Sequence, residues 1–574
     1  MAGQPVQFSD TSTGNPTSWE WAFGDGATST TKDPSHTYAA AGAYSVSLTI
    51  RTASNSSSAS RTITVTPQAA GYYIDANNPS ASDSNPGTEN HPWKTINKAN
   101  QTLAPGDTVF IKAGTYTTYI APNDSGTASN RIIYRAYGSD IVTVRDASYG
   151  ILLDGKSYIT VQGISFYNLD KFLWLQNGAN HNIIAYCNFD QGRNIGWSGS
   201  KIYRSSSYNW VHHCRFSNYG EYTSNSVGSV LDIGNEESTT DISNFNLLED
   251  SLLFHGGHHV LGVYGQFNVI RNNYFHNENW LNDHGERNVY VAGYPMNSGH
   301  NLFEGNQIAY SGFPVANWGA SGMSLDNGYN IIRFNRFYYN NLCGIGMSTT
   351  SSYYSDVVYN KIYNNTFLHN GYNMSTGPDP MTSAIGFAIY SGTHVIKFNA
   401  LKNNLYYDHY QALGVYQVSL DDQIIANNWN GDTQGDPFFV NAPLTLGDPT
   451  NANLPDLHLQ ASSPCIDKGS FLTTITSPSG AGTTFTVADA GYFMDGWGIS
   501  EVNGDDIQIV GTSQKARIAK VDYVTNAITL DTTLSWTQNQ GIALAYVGSA
   551  PDVGAFEHGG LQAQIAGRTS KNPG

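Results

Sequence analysis

Six short units in the middle of the chain open on asparagine at a corner and run on into apolar residues: NIIAYCNF, NWVHHCRF, NLLEDSLLF, NVIRNNYF, NLFEGNQI and NIIRFNRF. KIYNNTF and HVIKFNAL follow in the same style. The leading residues are Asn182, Asn209, Asn246, Asn268, Asn301 and Asn330, so the steps are 27, 37, 22, 33 and 29 residues. A helical repeat of fixed length does not tolerate such scatter. A solenoid of β-coils does, because the excess over one bare coil leaves as loops at the corners. Equivalent residues on stacked coils lie ~4.8 Å apart. The corner asparagines are therefore expected to form amide ladders, with Ile, Val and Phe stacking inside.

Composition agrees. At 574 residues the chain is too long for one compact core unless it grows in one dimension. Charged residues are only 13%, while Tyr numbers 37 and Gly 58, a balance typical of β-rich chains whose turns are Asn, Ser, Thr and Gly. The net charge of −17 excludes nucleic acid as a partner, since phosphate binding needs a basic footprint. Low charge with abundant Tyr, Trp and Asn suits a polyhydroxylated ligand. Cys187, Cys214, Cys343 and Cys465 form no disulfide framework. Cys187 and Cys214 hold the same place in successive units and are expected to stack as buried thiols. No apolar run approaches the ~18 residues of a membrane span. No signal peptide is present, and the chain opens inside a module, so a secreted protein lacking its leader is expected.

Residues 1–66 read as short alternating strands joined by Gly/Asp turns. Trp21, Phe23-Gly24-Asp25-Gly26, Pro34, His36-Thr37-Tyr38 and Gly42-Ala43-Tyr44 make this stretch resemble the PKD domain, an immunoglobulin-like β-sandwich. After a linker, residues 71–468 open with a short helix around Pro92-Trp93-Lys94-Thr95-Ile96 and a strand over 107–111. That opening and the units above resemble right-handed parallel β-helix proteins of the pectate-lyase-like superfamily. The helix caps a coil that would otherwise expose an apolar end and an unpaired edge. Residues 469–550 alternate with period two and are expected to form a small inserted β-barrel. PDVGAFE within 551–558 is expected to be the closing strand, and 559–574 a polar tail. The fold class is thus all-β: a single-stranded parallel solenoid with a sandwich before it and a barrel inserted near its end.

The runs GSVLDIGN, HHVLGVYG, RNVYVAGY, SGMSLDNG and CGIGMSTT are expected to form one parallel sheet. Leu231, Ile233, Leu261, Val263, Val289, Val291, Met323 and Leu325 then face inward. Asp232, Gly262, Tyr264, Asn288, Tyr290, Ala292, Ser324, Asp326 and Gly346 face a groove floor, with Trp197, Trp280 and Trp318 in loops that wall it. A slip of one residue would exchange the faces. Three chemistries compete there. Hydrolysis needs two carboxyls ~5–9.5 Å apart; Asp232 and Asp326 lie three strands apart, roughly 14 Å, so Asp232 with Glu286 is the more reachable pair. Elimination from a uronate needs positive charge on the substrate carboxylate and a base. Asp232, Glu236 and Glu237 offer hard oxygens for Ca²⁺, while Lys201, Arg204, His258, His259, Arg271 and Arg287 offer cations and bases. Transition-metal chemistry at His255, His258, His259 and His276 lacks any zinc-protease spacing. The catalytic candidates are therefore Asp232, His258, His259, Glu286 and Arg287, and the substrate-binding ones Tyr264, Trp280, Asn288, Tyr290, Trp318 and Asp326. The superfamily resemblance implies a secreted polysaccharide-cleaving protein, lyase or hydrolase; the other reading is a non-catalytic surface rod that binds glycan or self-associates. It matches no activity residue by residue, because fold does not settle function.

Overall fold

The computed structural model describes residues 5–559 except 13–15, 39, 41, 53–54, 66–70, 194–197, 220–227, 236–240, 242, 279–286, 293–298, 313–320, 350–354, 372–380 and 445–453. Among the described residues, three long parallel sheets of 13, 12 and 10 strands run the length of the central region. The first runs from Gly71–Ile74 to Ile424–Ala426, the second from Gly114–Tyr116 to Trp429–Asn430, and the third from Tyr149–Asp154 to Leu413–Tyr416. Each turn of chain gives one strand to each sheet, which is a parallel β-helix. Its interior is one apolar column holding Val109, Val144, Leu173, Phe189, Phe216, Leu253, Phe275, Phe337 and Phe367.

Corner chemistry sets the register. Asn182 Nδ2 donates to Asn209 Oδ1 (3.0 Å), and the bond repeats through Asn246, Asn268, Asn301, Asn330, Asn360 and Asn399 to Gln423. A second ladder joins Asn273, Asn306, Asn335, Asn365, Asn404 and Asn428. Beside the first ladder, Tyr158, His181, Tyr208, Phe245, Phe267, His300, Tyr329, Tyr359 and Phe398 stack ring on ring at 4.9–5.5 Å. Each of these sits at φ between 54° and 65°, the left-handed turn that lets the chain round the corner. All four cysteines are free and buried, and burial beside Cys187 pushes the Cys214 thiol well up.

The N-terminal cap is the helix Ile96–Thr102, whose N-cap Thr95 side chain accepts from the Lys98 amide. Ahead of it, Ser18–Ala22, Thr28–Ser29, Gly42–Arg51 and Ser56–Val65 form one antiparallel sheet, and Trp21, Phe23, Tyr38, Val46 and Val65 fill a small core. Residues 473–544 form a six-stranded antiparallel sheet, whose first and last members are joined by the bridge Ile475–Val487, so that it closes as a barrel. PDVGAFE is not a strand, which corrects the sequence expectation. Gly554 adopts φ +107°, its amide donates to the Asn403 carbonyl, and the Ala555 amide donates to Thr366 Oγ1. These amides go to a corner and a side chain, so they build no ladder, yet Val553, Ala555 and Phe556 are buried against the second sheet. No helix of the described residues is long and apolar enough to cross a membrane.

Candidate active site

The third sheet carries the polar cluster on its outer face. Register places Lys201 beside Asp232, Asp232 beside Gly262, Gly262 beside Tyr290 and Tyr290 beside Ser324. Leu231, Ile233, Leu261, Val263, Val289, Val291, Met323 and Leu325 all lie in the core, so the period-two reading has the faces right over these positions. Asp232 Oδ1 accepts from His259 Nε2 at 2.9 Å; Oδ2 accepts from Ser229 Oγ at 2.7 Å and from Ser198 Oγ. Burial raises the Asp232 pKa, but the His259 bond and charge, Lys201 and Ser198 outweigh it and hold the carboxyl at about 2. It is therefore ionised at neutral pH and can only accept. In the neutral imidazole the bond to Asp232 puts the proton on Nε2, which leaves Nδ1 with a lone pair. That Nδ1 is buried and has no hydrogen-bond partner among the described residues.

Tyr264 Oη lies 3.2 Å from His259 Nε2, and the Tyr290 ring 5.6 Å from the His259 ring. Arg287 pairs with His259 in register and lays its guanidinium over Tyr290 at 4.7 Å. The His258 ring is 4.8 Å from that of His259. Gly262 sits at the centre of this group, where a Cβ would fall 2.7 Å from both His259 Nε2 and Tyr264 Oη.

Three expectations change. The floor is not open, because Asp232, Tyr264, Tyr290 and Asp326 are only 5%, 5%, 1% and 3% exposed. Asn288 does not face outward; its Nδ2 donates to the Ala309 carbonyl at 2.6 Å, inside the corner. Asn288 stands level with Val260 and Val230 on the neighbouring strands. There Val230 and Leu231, and Val260 and Leu261, enter the core in succession, so the residue before them, Ser229 or His259, turns outward. Third, the four histidines do not converge. His255 and His276 belong to the second sheet and share Glu278, at 3.2 and 2.5 Å. Among the described residues no group of three or more His, Cys, Asp or Glu is placed to hold a metal ion. Asp326 is three strands from Asp232 and near Ser348 Oγ (3.4 Å). Trp197, Glu236, Glu237, Trp280, Glu286 and Trp318 lie outside the described residues.

Sequence reading missed Lys171, one strand before Ser198. Its Nζ donates to the Ser198 carbonyl (2.8 Å) and to Tyr219 Oη (3.3 Å) and sits over the Trp174 ring. Burial, with the Lys201 charge beside it, lowers Lys171 to about 8 against the pull of Asp170 and Asp232. The run KFLWLQ, four apolar residues in succession opened by a lysine, is the signal that could have found it.

A family model for the PKD domain matches residues 2–67, and one for the Pel9A-like right-handed β-helix region matches residues 72–235. The uncharacterized protein YwoF of Bacillus subtilis (strain 168) is 32% identical over 99 residues, which span 16% of this chain and 21% of that protein. The chain thus matches about a fifth of that relative's length. Among solved structures, pectate lyase Pel9A aligns at 16% identity and TM-score 0.46, covering 86% of this chain and 97% of that one. The GH136 lacto-N-biosidase from Eubacterium ramulus aligns at 12% and 0.43, covering 63% and 67%. The PL6 family polysaccharide lyase Pedsa3628 from Pseudopedobacter saltans aligns at 16% and 0.41, covering 64% and 95%.

Proposed function

From a PKD domain joined to a right-handed parallel β-helix of the pectate-lyase-like superfamily, we propose a carbohydrate-active protein that cleaves a polysaccharide by β-elimination at the third sheet. The observation that carries this is the ionised Asp232 bonded to His259 Nε2, which turns a bare basic Nδ1 away from the carboxylate. In the reaction His259 Nδ1 takes the C5 proton of a uronate. The freed electron pair forms the C4–C5 double bond, and the C4–oxygen bond breaks, leaving the departing oxygen to be protonated by Tyr264 or water. Arg287, next to His259 in the sheet, neutralises the uronate carboxylate and so acidifies C5. For hydrolysis Asp326 is too distant to be the second carboxyl, at three strand spacings of ~4.8 Å, and Glu286, the other partner considered for Asp232, lies outside the described residues. Calcium is the alternative source of positive charge, but both Asp232 oxygens are already engaged by His259 and two serines. A polymer substrate fits a protein that works outside the cell.

A second reading is favoured by the burial of the cluster. In it, Asp232 and His259 only lock a stiff rod that binds glycan or self-associates. One assay separates the two. Uronate-containing and neutral glycans are incubated with the full chain and read by ultraviolet absorbance of the unsaturated product and by reducing ends. Unsaturated product is expected, with EDTA leaving it unchanged and His259→Ala lowering kcat/KM by about 10²–10⁴. Reducing ends without unsaturation would move the chemistry to hydrolysis. No product from any glycan, or full turnover by His259→Ala, would leave the locking role.

A further inference from the structure

Two columns of side chains meet at Asp232. Register stacks Ser198, Ser229, His259 and Arg287 near the starts of successive strands of the third sheet. It stacks Lys201, Asp232, Gly262 and Tyr290 one after another further along the same strands. Opposite charges at neighbouring strand positions attract, so Lys201 is the partner that its own column offers to Asp232. The carboxylate leans into the other column instead. Oδ1 accepts from His259 Nε2 at 2.9 Å, and Oδ2 accepts from Ser229 Oγ at 2.7 Å and from Ser198 Oγ. Lys201 Nζ donates to Asn235 Oδ1 at 3.2 Å and sits over the Tyr203 ring.

The surroundings allow this lean and make the serines decisive for it. Gly262 leaves open the space beside Asp232 in its own column, where a Cβ would collide with Oδ1. Ser198 stands one strand before Asp232, Ser229 on its own strand and His259 one strand after. The two hydroxyls therefore engage one oxygen and leave the other to the imidazole. Ser198, Ser229, Asp232 and His259 are all buried, so water is poorly placed to replace a lost hydroxyl. A rival for His259 is also at hand, because Tyr264 Oη lies 3.2 Å from Nε2. A phenol donates as readily as it accepts. An imidazole that accepts from Tyr264 at Nε2 carries its proton on Nδ1 and has no lone pair there.

We propose that Ser198 and Ser229 are positioning residues: they draw Asp232 away from Lys201 and onto His259, and so hold the imidazole in the tautomer whose Nδ1 is bare. The inference deepens the elimination reading and rests on it for the use to which Nδ1 is put. The serines themselves touch no reacting atom. Without them the carboxylate swings back toward Lys201, and Nε2 is left to Tyr264.

The test is ring-nitrogen NMR of the full chain carrying isotope-labelled histidine, with the His259 signals identified by their loss in His259→Ala. Steady-state rates on a uronate-containing glycan are measured beside it. The unaltered protein is expected to show His259 with its proton on Nε2. Ser198→Ala with Ser229→Ala is expected to move that proton to Nδ1 or to an average of the two forms. The same variant should lose about 10²-fold in kcat with KM changed less than about twofold, as for a reacting group misplaced by ~1 Å. Ser198→Ala with Ser229→Thr keeps one hydroxyl and should recover most of both readouts. Adding Lys201→Gln to the double alanine variant removes the rival cation and should return part of the Nε2–H form. If the double variant unfolds early in a thermal melt, each single alanine variant is read instead, with a smaller shift in the same direction. A tautomer indifferent to the serines, or a fall in kcat with the tautomer unchanged, would overturn the inference. A serine-dependent tautomer with no cleavage of any glycan by the unaltered protein would overturn elimination and leave the positioning role. Cleavage at full rate by a variant with the proton on Nδ1 would remove His259 as the base and leave that role equally intact.

Discussion

A methyl group at position 262 would lie 2.7 Å from His259 Nε2 and from Tyr264 Oη, and closer still to Asp232 Oδ1. None of these atoms belongs to a chain end free to swing aside, because Asp232 is held by Ser198, Ser229 and His259. Gly262→Ala is therefore expected to push the Asp232–His259 pair apart while the apolar side of the same strand, Leu261 and Val263, keeps its place in the core. Displacement of a reacting group by about 1 Å costs roughly 10²-fold in rate. Turnover of uronate glycan should fall by that factor with the circular dichroism spectrum unchanged. Intact turnover would show that His259 does its work elsewhere. At this scale period two was enough to put Asp232, Gly262, Tyr264 and Tyr290 on one face. It misled at Asn288, because burial of two consecutive residues at the strand start departs from the alternation on which the reading rests.

Among elements, the corner ladders decide where each coil stops. Asn301 Oδ1 accepts both the amide and Nδ2 of Asn268, and Asn301 Nδ2 donates onward to Asn330 and to the Gly265 carbonyl. Removing that amide leaves several buried groups unmet at one corner. Asn301→Ala is expected to cost on the order of 3 kcal/mol, read as a lower urea midpoint with an unchanged slope. A loss near zero would mean that the stacked strands alone hold the corner. The first ladder was legible because its asparagines open each apolar run. The second was legible too, since Asn273, Asn306, Asn335, Asn365 and Asn404 each stand five residues after a member of the first. The closing segment was not. Its PDVGAFE alternates like a strand, but Gly554 at positive φ and the capture of Ala555 by Thr366 divert its amides. Segments that pack on a finished surface obey that surface rather than their own pattern.

For the whole molecule, the question is what makes the inserted barrel one body with the rod. Along the first sheet a charge column alternates as Glu249, Arg271, Glu304 and Arg333 on successive strands. Arg271 Nε meets Glu249 at 2.6 Å and Arg333 Nε meets Glu304 at 3.2 Å. The barrel takes hold at the end of this column. Asp505 receives both Arg333 Nη atoms, at 2.9 and 2.6 Å, while Tyr363 Oη donates to the Tyr492 carbonyl and Lys361 pairs with Asp489. Nothing in the sequence announces a contact between residues 172 apart; only the register, which lines up residues of different coils, creates the column that Asp505 answers. Both partners of this pair are buried, so removing one strands a charge. Asp505→Ala is expected to cost about 3–5 kcal/mol and to open the barrel to limited proteolysis before the rod melts. Replacing both, Arg333→Met with Asp505→Leu, should recover part of that loss, because the carboxylate then left without its arginine is Glu304, whose side chain reaches solvent, rather than the buried Asp505. If the double variant is as weak as the single one, the barrel is held by the geometry of the fork rather than by the cancelled charge. Equal protease resistance in all three proteins would place the attachment in the apolar contacts around Tyr492 and Phe493 instead.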